Sequence, residues 1–262
     1  MKNLTTKQDT DWHLAFKSAL IGLKVECQFF YQEDYTLLKL NNTVMVNLVD
    51  VENHHAAADL IALQQDYHQS CIKLIHLWED VWLSRSRQVL ARIESILGKN
   101  IRIHGRKTKV EKIDKPRADR FMDNNHLQGT VSSRFKLGLF EKDDLVAVAT
   151  FSALRRMKHS ESYRSAELIR FAVKAGFSVT GGLSKLINHF VAMHRPNDIM
   201  SYADRDWSAG EAYVKLNFEK QEALAPQRFS LDENLKRTLI KAESSAGLEV
   251  FNTGSLKFIL KF

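Results

Sequence analysis

The stretch from Ser201 to Phe218, SYADRDWSAGEAYVKLNF, constrains this chain more than any other. Ile199 and Met200 open a short apolar strand that runs straight into hydroxyls and charges at Ser201, Asp204, Arg205 and Asp206. A buried strand ends this way where its end faces a crevice, and crevices at strand ends are where α/β sheets hold their ligands. Ser208, with Glu211 three residues on, has capping-box spacing and predicts a helix over 209–216 that carries Tyr213. The cap accounts for Ser208 and Glu211. It leaves Ser201, Asp204 and Tyr213 without a structural task.

Apolar periodicity sets the rest of the order. Trp12, Phe16, Leu20 and Leu23 predict a helix over 11–24, followed by strands at 25–31, 35–40 and 44–49. A helix over 56–69 leads to a buried strand at 72–77, then to an amphipathic helix over 79–97 stopped by Gly98. The pattern restarts with a strand at 106–113 and a helix over 116–125 with Pro116 in its first turn. A hairpin of 135–140 and 145–152, a strand at 166–173 and a helix opened by Gly181 and Gly182 come next. Short strands are expected at 199–202, 228–231 and 248–252. The class is α/β, in two domains, 1–100 and 101–262.

Hydrophobic residues make up 44% of the chain and charged ones 26%, the balance of a water-soluble globular protein. No apolar run approaches the ~18 residues of a membrane helix, so no membrane partner is expected. Cys27 and Cys71 have no CxxC spacing and read as reduced thiols of a cytoplasmic protein. Charge is unevenly spread: residues 1–98 hold 9 basic and 12 acidic side chains, a net of −3, so the remainder of a +7 chain carries +10. The basic residues concentrate in a run that includes Arg106, Lys107 and Lys109, and in a second patch of Arg155, Arg156 and Lys158 followed by Tyr163. Such stripes attract phosphate backbones by counterion release. DNA is the expected partner, with RNA open, and Tyr163 and Trp207 are the aromatics available to stack on a base.

The order of strand, helix, hairpin, strand, glycine-opened helix, strand, helix and strand resembles the GNAT (N-acetyltransferase) fold. AELIRFAV at 166–173, VTGGLSKL at 179–186 and AYVKLNF at 212–218 carry that resemblance. It implies an acyl-CoA or related donor at Gly181, Gly182, Ser184 and Lys185, where a helix N-terminus meets an anion. It also implies a catalytic set of His126, Glu167, Arg170, Ser201, Asp204 and Tyr213. In that set His126 and Asp204 handle the acceptor's proton and Tyr213 is the general acid; Glu167 and Arg170, three apart on a strand, are expected on opposite faces. A further resemblance rests on NHLQG at 125–129, ELIRF at 167–171, GGLSKL at 181–186, the Ser201–Phe218 block and IKLIHLWEDVW at 72–82. These are similar to phage and mobile-element proteins of the Hef-like homing-endonuclease type, which pair a Vsr-like (PD-(D/E)XK-like) nuclease domain with a GNAT-like one. The ELIR and SYAD pieces are also similar, more distantly, to the DNA-modifying Mom proteins.

Nucleases of the Vsr type hold Mg²⁺ with acidic residues on adjacent strands, because a hard cation takes oxygen ligands. The corresponding strands here carry Leu37, Leu38 and Lys39, then Asn47, so the resemblance implies a degenerate nuclease unit used for binding. Asp50 and Glu52 remain as a displaced metal site. Three readings stay open: group transfer to a nucleobase, a Mg²⁺-dependent homing-type endonuclease, and a non-catalytic DNA-binding protein.

Overall fold

A computed structural model describes residues 10–157, 160–240 and 247–262. The described residues form two compact units. One comprises those up to Ser86 together with Pro226–Thr253, the other Arg87–Ala225 with Gly254–Phe262. The expected division at residue 100 differs from this in two stretches, because the chain returns late to the first unit. The returning strands are only three or four residues long, too short for periodicity to say which sheet they join.

In the first unit α1 (Asp11–Gly22) buries Trp12, Phe16 and Leu20. The strands β1 (Gln28–Gln32), β2 (Tyr35–Lys39) and β3 (Val44–Val49) form an antiparallel meander, and α2 (Ala57–Gln69) crosses over to β4 (Lys73–Trp78), parallel to β3. Every residue of β3 is buried, as a continuous apolar run between covered faces requires. The helix α3 (Glu79–Ile96) follows, and Arg85 interrupts its dihedrals at φ −139°, ψ 31°.

The second unit begins with β5 (Ile101–His104), a 3-10 turn at Gly105–Lys107 and β6 (Lys109–Lys112). The turn takes the first residues of the strand expected at 106–113, which shortens to β6. Asp114 caps α4 (Lys115–Asn125), accepting from the Arg117 amide at 2.8 Å. Next come the hairpin β7 (Phe135–Glu141) and β8 (Asp144–Phe151), the short β9 (Arg155–Arg156), and β10 (Arg164–Val173). β11 (Phe177–Thr180) pairs parallel with β5, and α5 (Gly182–His194), β12 (Asp198–Asp204), α6 (Glu211–Val214) and β13 (Glu219–Leu224) complete the run. The chain then supplies β14 (Arg228–Leu231), β15 (Arg237–Leu239) and β16 (Glu249–Phe251) to the first unit before ending in β17 (Ser255–Lys261). In that first unit Val250 packs with Val49, Leu60 and Trp78.

The large sheet of the second unit has the order β13-β17-β12-β10-β8-β7-β6. Leu186, Ile187 and Phe190 of α5 pack on one face against Leu139, Phe151, Ile199 and Phe258. Ala118, Phe121 and Met122 of α4 pack with Phe140, Val148 and Ala172. Within this sheet β10 and β12 form the parallel pair, in register only at Ser165↔Asp198, Ala166↔Ile199 and Glu167↔Met200. Beyond Glu167 the two strands part: β10 continues along β8 and β12 along β17.

A bulge in β10 lies between Leu168 and Arg170 and changes which side chains share a face. Ala166 and Leu168 belong to the α5-side core before it, and Phe171 and Val173 pack on that same core after it. Glu167 and Arg170 therefore share the other face. The expectation that they point oppositely is corrected, since the extra residue reverses the period-2 alternation.

Candidate active site

The polar residues of the second unit gather where β10 and β12 part. Ser201, in the middle of β12, is buried, and its Oγ lies 2.9 Å from the Leu168 carbonyl of β10 and 2.9 Å from the Tyr213 hydroxyl. A serine hydroxyl has one proton and the carbonyl can only accept. When Ser201 donates to Leu168, the Tyr213 proton is held by Ser201; when Ser201 donates to Tyr213, the phenol's own proton is released toward the opening. Burial raises the Tyr213 pKa above its ordinary value, against the opposing pull of the Ser201 hydrogen bond and the charges of Arg170 and Arg92. A phenol so placed keeps its proton near neutral pH.

Tyr213 is set by the turn before it. Gly210, at φ +85°, allows the chain to pass over Phe258, whose ring carbon would lie 2.1 Å from an added Cβ. The expected helix over 209–216 shrinks to the four residues of α6, because the left-handed Gly210 is its N-cap. Ser208 bonds the Glu211 carboxylate at 2.8 Å and accepts from the Gly210 amide at 3.0 Å.

Asp204, at the end of β12, accepts from Gln128 Nε2 at 3.0 Å and from the Asp206 amide at 3.1 Å. His126 caps the end of α4 and its Nδ1 accepts from the Gln128 amide at 3.1 Å. His126 therefore orders the loop that carries Gln128 to Asp204. Glu167 lies 3.5 Å from Arg155. Arg170 donates from Nη1 to the Ile169 carbonyl at 3.0 Å, while its Nε is buried with no partner among the described residues. Burial lowers the Arg170 pKa despite the nearby charges of Glu167, Asp204 and Tyr213.

Sequence reasoning missed Arg92 of α3. Surrounding protein depresses its pKa, with Glu211, Tyr213 and Asp204 acting in the opposite sense, yet the residue keeps substantial solvent exposure. No periodic signal distinguishes it from any other polar position on an amphipathic helix.

Gly181, at φ +74°, is the N-cap of α5, and an added Cβ there meets nothing within 4 Å. The Cα of Gly181 thus faces open space, whereas Gly182, the first helical residue, is buried against Val179 and Leu139. Ser184 Oγ lies 3.5 Å from the Gly181 carbonyl. Lys185 turns the other way and donates to the carbonyls of Gly105, at 3.0 Å, and Thr108, fastening the 3-10 turn to the helix. As a ligand for the donor Lys185 is therefore replaced by backbone.

The proposed nucleic-acid contacts divide. Arg106, Lys107, Lys109, Arg155 and Arg156 are exposed. Lys158 lies outside the described residues. Tyr163 is half-buried, and its hydrogen bond to Asp198 raises its pKa. Trp207 is only 6% exposed, so it is a core aromatic and not a surface for stacking bases; the aromatic buried itself beneath the turn that follows β12.

In the first unit Asn47, one of the positions where the nuclease resemblance expects an acid, is paired with His76 of the adjacent strand. Asn47 and His76, 1% and 0% exposed, meet at 3.2 Å on adjacent strands, and His76 Nε2 lies 3.0 Å from the Leu60 carbonyl. That carbonyl fixes the proton on Nε2 and leaves Nδ1 to accept from Asn47. Asp50 accepts from Trp12 Nε1 at 2.7 Å and lies 3.2 Å from His13, while Glu52 is exposed in the following turn. These residues do not fit Mg²⁺, and no group of three His, Cys, Asp or Glu side chains among the described residues could hold a metal ion. Also among the described residues, no helix is long and apolar enough to cross a membrane.

No family model matches the sequence, and no curated protein matches it. Among solved structures, Naa50 of Arabidopsis thaliana, in complex with the bisubstrate analogue CoA-Ac-MVNAL, is 13% identical with a TM-score of 0.38, over 60% of this chain and 99% of its own. The ribosomal-protein-S18-alanine N-acetyltransferase of Escherichia coli is 12% identical with a TM-score of 0.39, over 59% and 93%. A GNAT family acetyltransferase of Elizabethkingia anophelis with acetyl-CoA bound is 8% identical with a TM-score of 0.36, over 60% and 99%. All three likenesses are weak in identity and in superposition.

Proposed function

We propose that the second unit transfers an acyl group from a coenzyme A thioester to a nucleophile, and that the acceptor is a nucleobase of DNA. The observation that carries this reading is the separation of β10 from β12 after three paired residues, with the Ser201–Tyr213 pair at the opening. The exposed Gly181 turn at the start of α5 fits the donor's pyrophosphate, since helix N-terminal N–H groups and the helix dipole favour an anion there. The donor, when bound, supplies an activated acyl thioester. Tyr213 holds the proton that a departing thiolate needs, at its hydroxyl oxygen. Asp204, oriented by Gln128, is the proton acceptor for the incoming nucleophile. The +10 balance beyond residue 98 and the exposed Arg106, Lys107, Lys109, Arg155 and Arg156 favour a polyanionic acceptor.

Calorimetric titration with acetyl-CoA tests the donor half. Saturable binding is expected, weakened at least about tenfold in Gly181→Val, where a β-branched side chain is strained at positive φ and shields the N–H groups. Absence of binding removes the reading. Mass spectrometry of nucleosides from DNA incubated with protein and acetyl-CoA tests the acceptor half, and an acyl product only on protein or a small amine would replace DNA as the substrate.

A further inference from the structure

We infer that a cleft in the first unit binds small carboxylates that carry an aromatic or branched apolar body. The cleft has a volume of about 290 Å³, and Phe30, Lys39, Asn41, Met45, Tyr67 and Ile72 are among the residues that line it. Strand register puts its sheet residues on one face. Lys39 lies directly opposite Met45, and Phe30 lies opposite Leu37, two residues before Lys39. Leu37 and Met45 belong to the core under α2, with Tyr67 and Ile72 packed against it. The helix follows β4, where Gln64 donates to the Leu74 carbonyl at 3.2 Å and His76 meets the Leu60 carbonyl at 3.0 Å. Its Tyr67 hydroxyl reaches across to the edge strand β1 and donates to Gln32 at 3.0 Å. Phe30 stays 50% exposed and Met45 only 6%, which gives the cleft an open apolar wall and a closed apolar floor.

The rim carries the opposite chemistry. Lys39 is exposed, with no carboxylate within 4.0 Å among the described residues. Asn41 Oδ1 accepts from the amides of Thr43 and Val44, each at 2.8 Å, and from Thr43 Oγ1 at 3.1 Å. Two backbone N–H groups on one oxygen fix the orientation of the carboxamide, so Nδ2 is left as a donor, and it has no acceptor among the described residues. An ammonium and an amide N–H can only donate, and together they favour an oxygen anion. Phosphate would meet these donors and leave Phe30, Met45 and Ile72 wet, whereas a hydrocarbon would do the reverse. A carboxylate on an apolar body satisfies both ends. The volume lies at the low end for small-molecule sites, about 300 Å³ and upward, so the ligand is smaller than a drug-sized molecule. The cleft owes nothing to the proposed acyl transfer.

The test is calorimetric titration of the full chain with 3-phenylpropanoate, beside its uncharged counterpart 3-phenylpropanamide and inorganic phosphate. The carboxylate is expected to bind saturably, at least about tenfold more tightly than the amide. Its affinity should fall at least about tenfold in Lys39→Gln, as loss of a charge-assisted hydrogen bond implies. Phe30→Ser should weaken it about three- to tenfold by removing apolar contact. Both positions are exposed, so neither variant endangers the core. Arg106→Gln, in the basic part of the second unit, is expected to change nothing. A titration that shows no saturation at millimolar 3-phenylpropanoate overturns the site, and so does undiminished affinity in Lys39→Gln. Amide binding as tight as the carboxylate overturns the anionic assignment, and phosphate binding as tight overturns the apolar one. Titration with acetyl-CoA reads the second unit, so failure here and failure of the acyl-transfer reading are separate results.

Discussion

Arg237 of the first unit and Arg170 of the second are both drawn largely out of water, and the fold treats them in opposite ways. Arg237 meets Asp80 in a two-pronged ion pair, Nε at 2.6 Å and Nη2 at 2.8 Å, with the rings of Trp78 and Phe229 at 5.5 and 5.7 Å from its guanidinium carbon. Arg170 has one carbonyl and an orphaned Nε. The same contrast separates the hydrogen-bonded hydroxyls and rings. Asn47 and His76 satisfy each other and a carbonyl in one fixed arrangement, whereas Ser201 shares one proton between two acceptors. Polar groups that fold a protein are closed circuits, and those left open at the end of a strand are reserved for something that binds.

The largest effect expected from this contrast is on stability. Asp80→Ala strands Arg237 as a buried charge and should cost about 3–5 kcal/mol in denaturant unfolding. Arg170→Met removes a partly buried charge whose Nε has no acceptor among the described residues, and should change stability by less than about 1 kcal/mol, or increase it. Equal destabilisation by both would break the comparison, since it would make Arg170 a structural group like Arg237.

Next in size is Tyr213→Phe, which keeps the ring packed against Phe218 and Phe258 and removes only the hydroxyl. Loss of a general acid should lower kcat roughly 10²- to 10⁴-fold with KM little changed. The raised pKa fixes the pH behaviour. Wild-type activity should hold to pH 10 and fall as pH climbs through the higher folded value. Stability should decline over the same interval, because above pH 10 the unfolded chain releases the phenol proton before the folded one does. The phenylalanine variant should lose the alkaline fall in activity and only the Tyr213 share of the stability decline, since Tyr35, Tyr67 and Tyr163 also have raised pKa values; an alkaline fall in activity that survives in it would assign the limb to another group.

Much of this was legible from residue pattern. The Ser201–Phe218 block predicts a strand followed by a helix, and β12 and α6 fall there. Ser201, Asp204 and Tyr213 stood out because neither core nor cap explained them. Three features were hidden for physical reasons. A one-residue bulge in β10 leaves no mark in an apolar run, yet it decides that Glu167 and Arg170 share a face. Arg92 sits at an ordinary helical position, and only tertiary folding brings its charge within electrostatic reach of Tyr213. Trp207 reads as an exposed aromatic among charges, but the turn it occupies folds inward. Absent acids at Lys39 and Asn47 were visible in the sequence; that Asn47 closes a neutral circuit with His76 was not.

The smallest effect is the most discriminating within the second unit. Gln128 tethers the loop after α4 to Asp204 from an exposed position, so Gln128→Ala should cost stability about 1 kcal/mol or less. Asp204 keeps its bond from the Asp206 amide, so the carboxylate stays at the strand end with one donor fewer. If Asp204 is the proton acceptor, its orientation loosens and kcat should fall about three- to tenfold, a loss of roughly one hydrogen bond. Gln128→Glu separates orientation from packing: the side chain keeps its length, but a second carboxylate now faces Asp204 and disfavours its charged form. Its acid limb should therefore move to higher pH relative to wild type, which the alanine variant should not show. A limb that stays put in the glutamate variant would mean that Asp204 is no more reactive than Asn47, and that the open arrangement at the parted strands has only one active member, Tyr213.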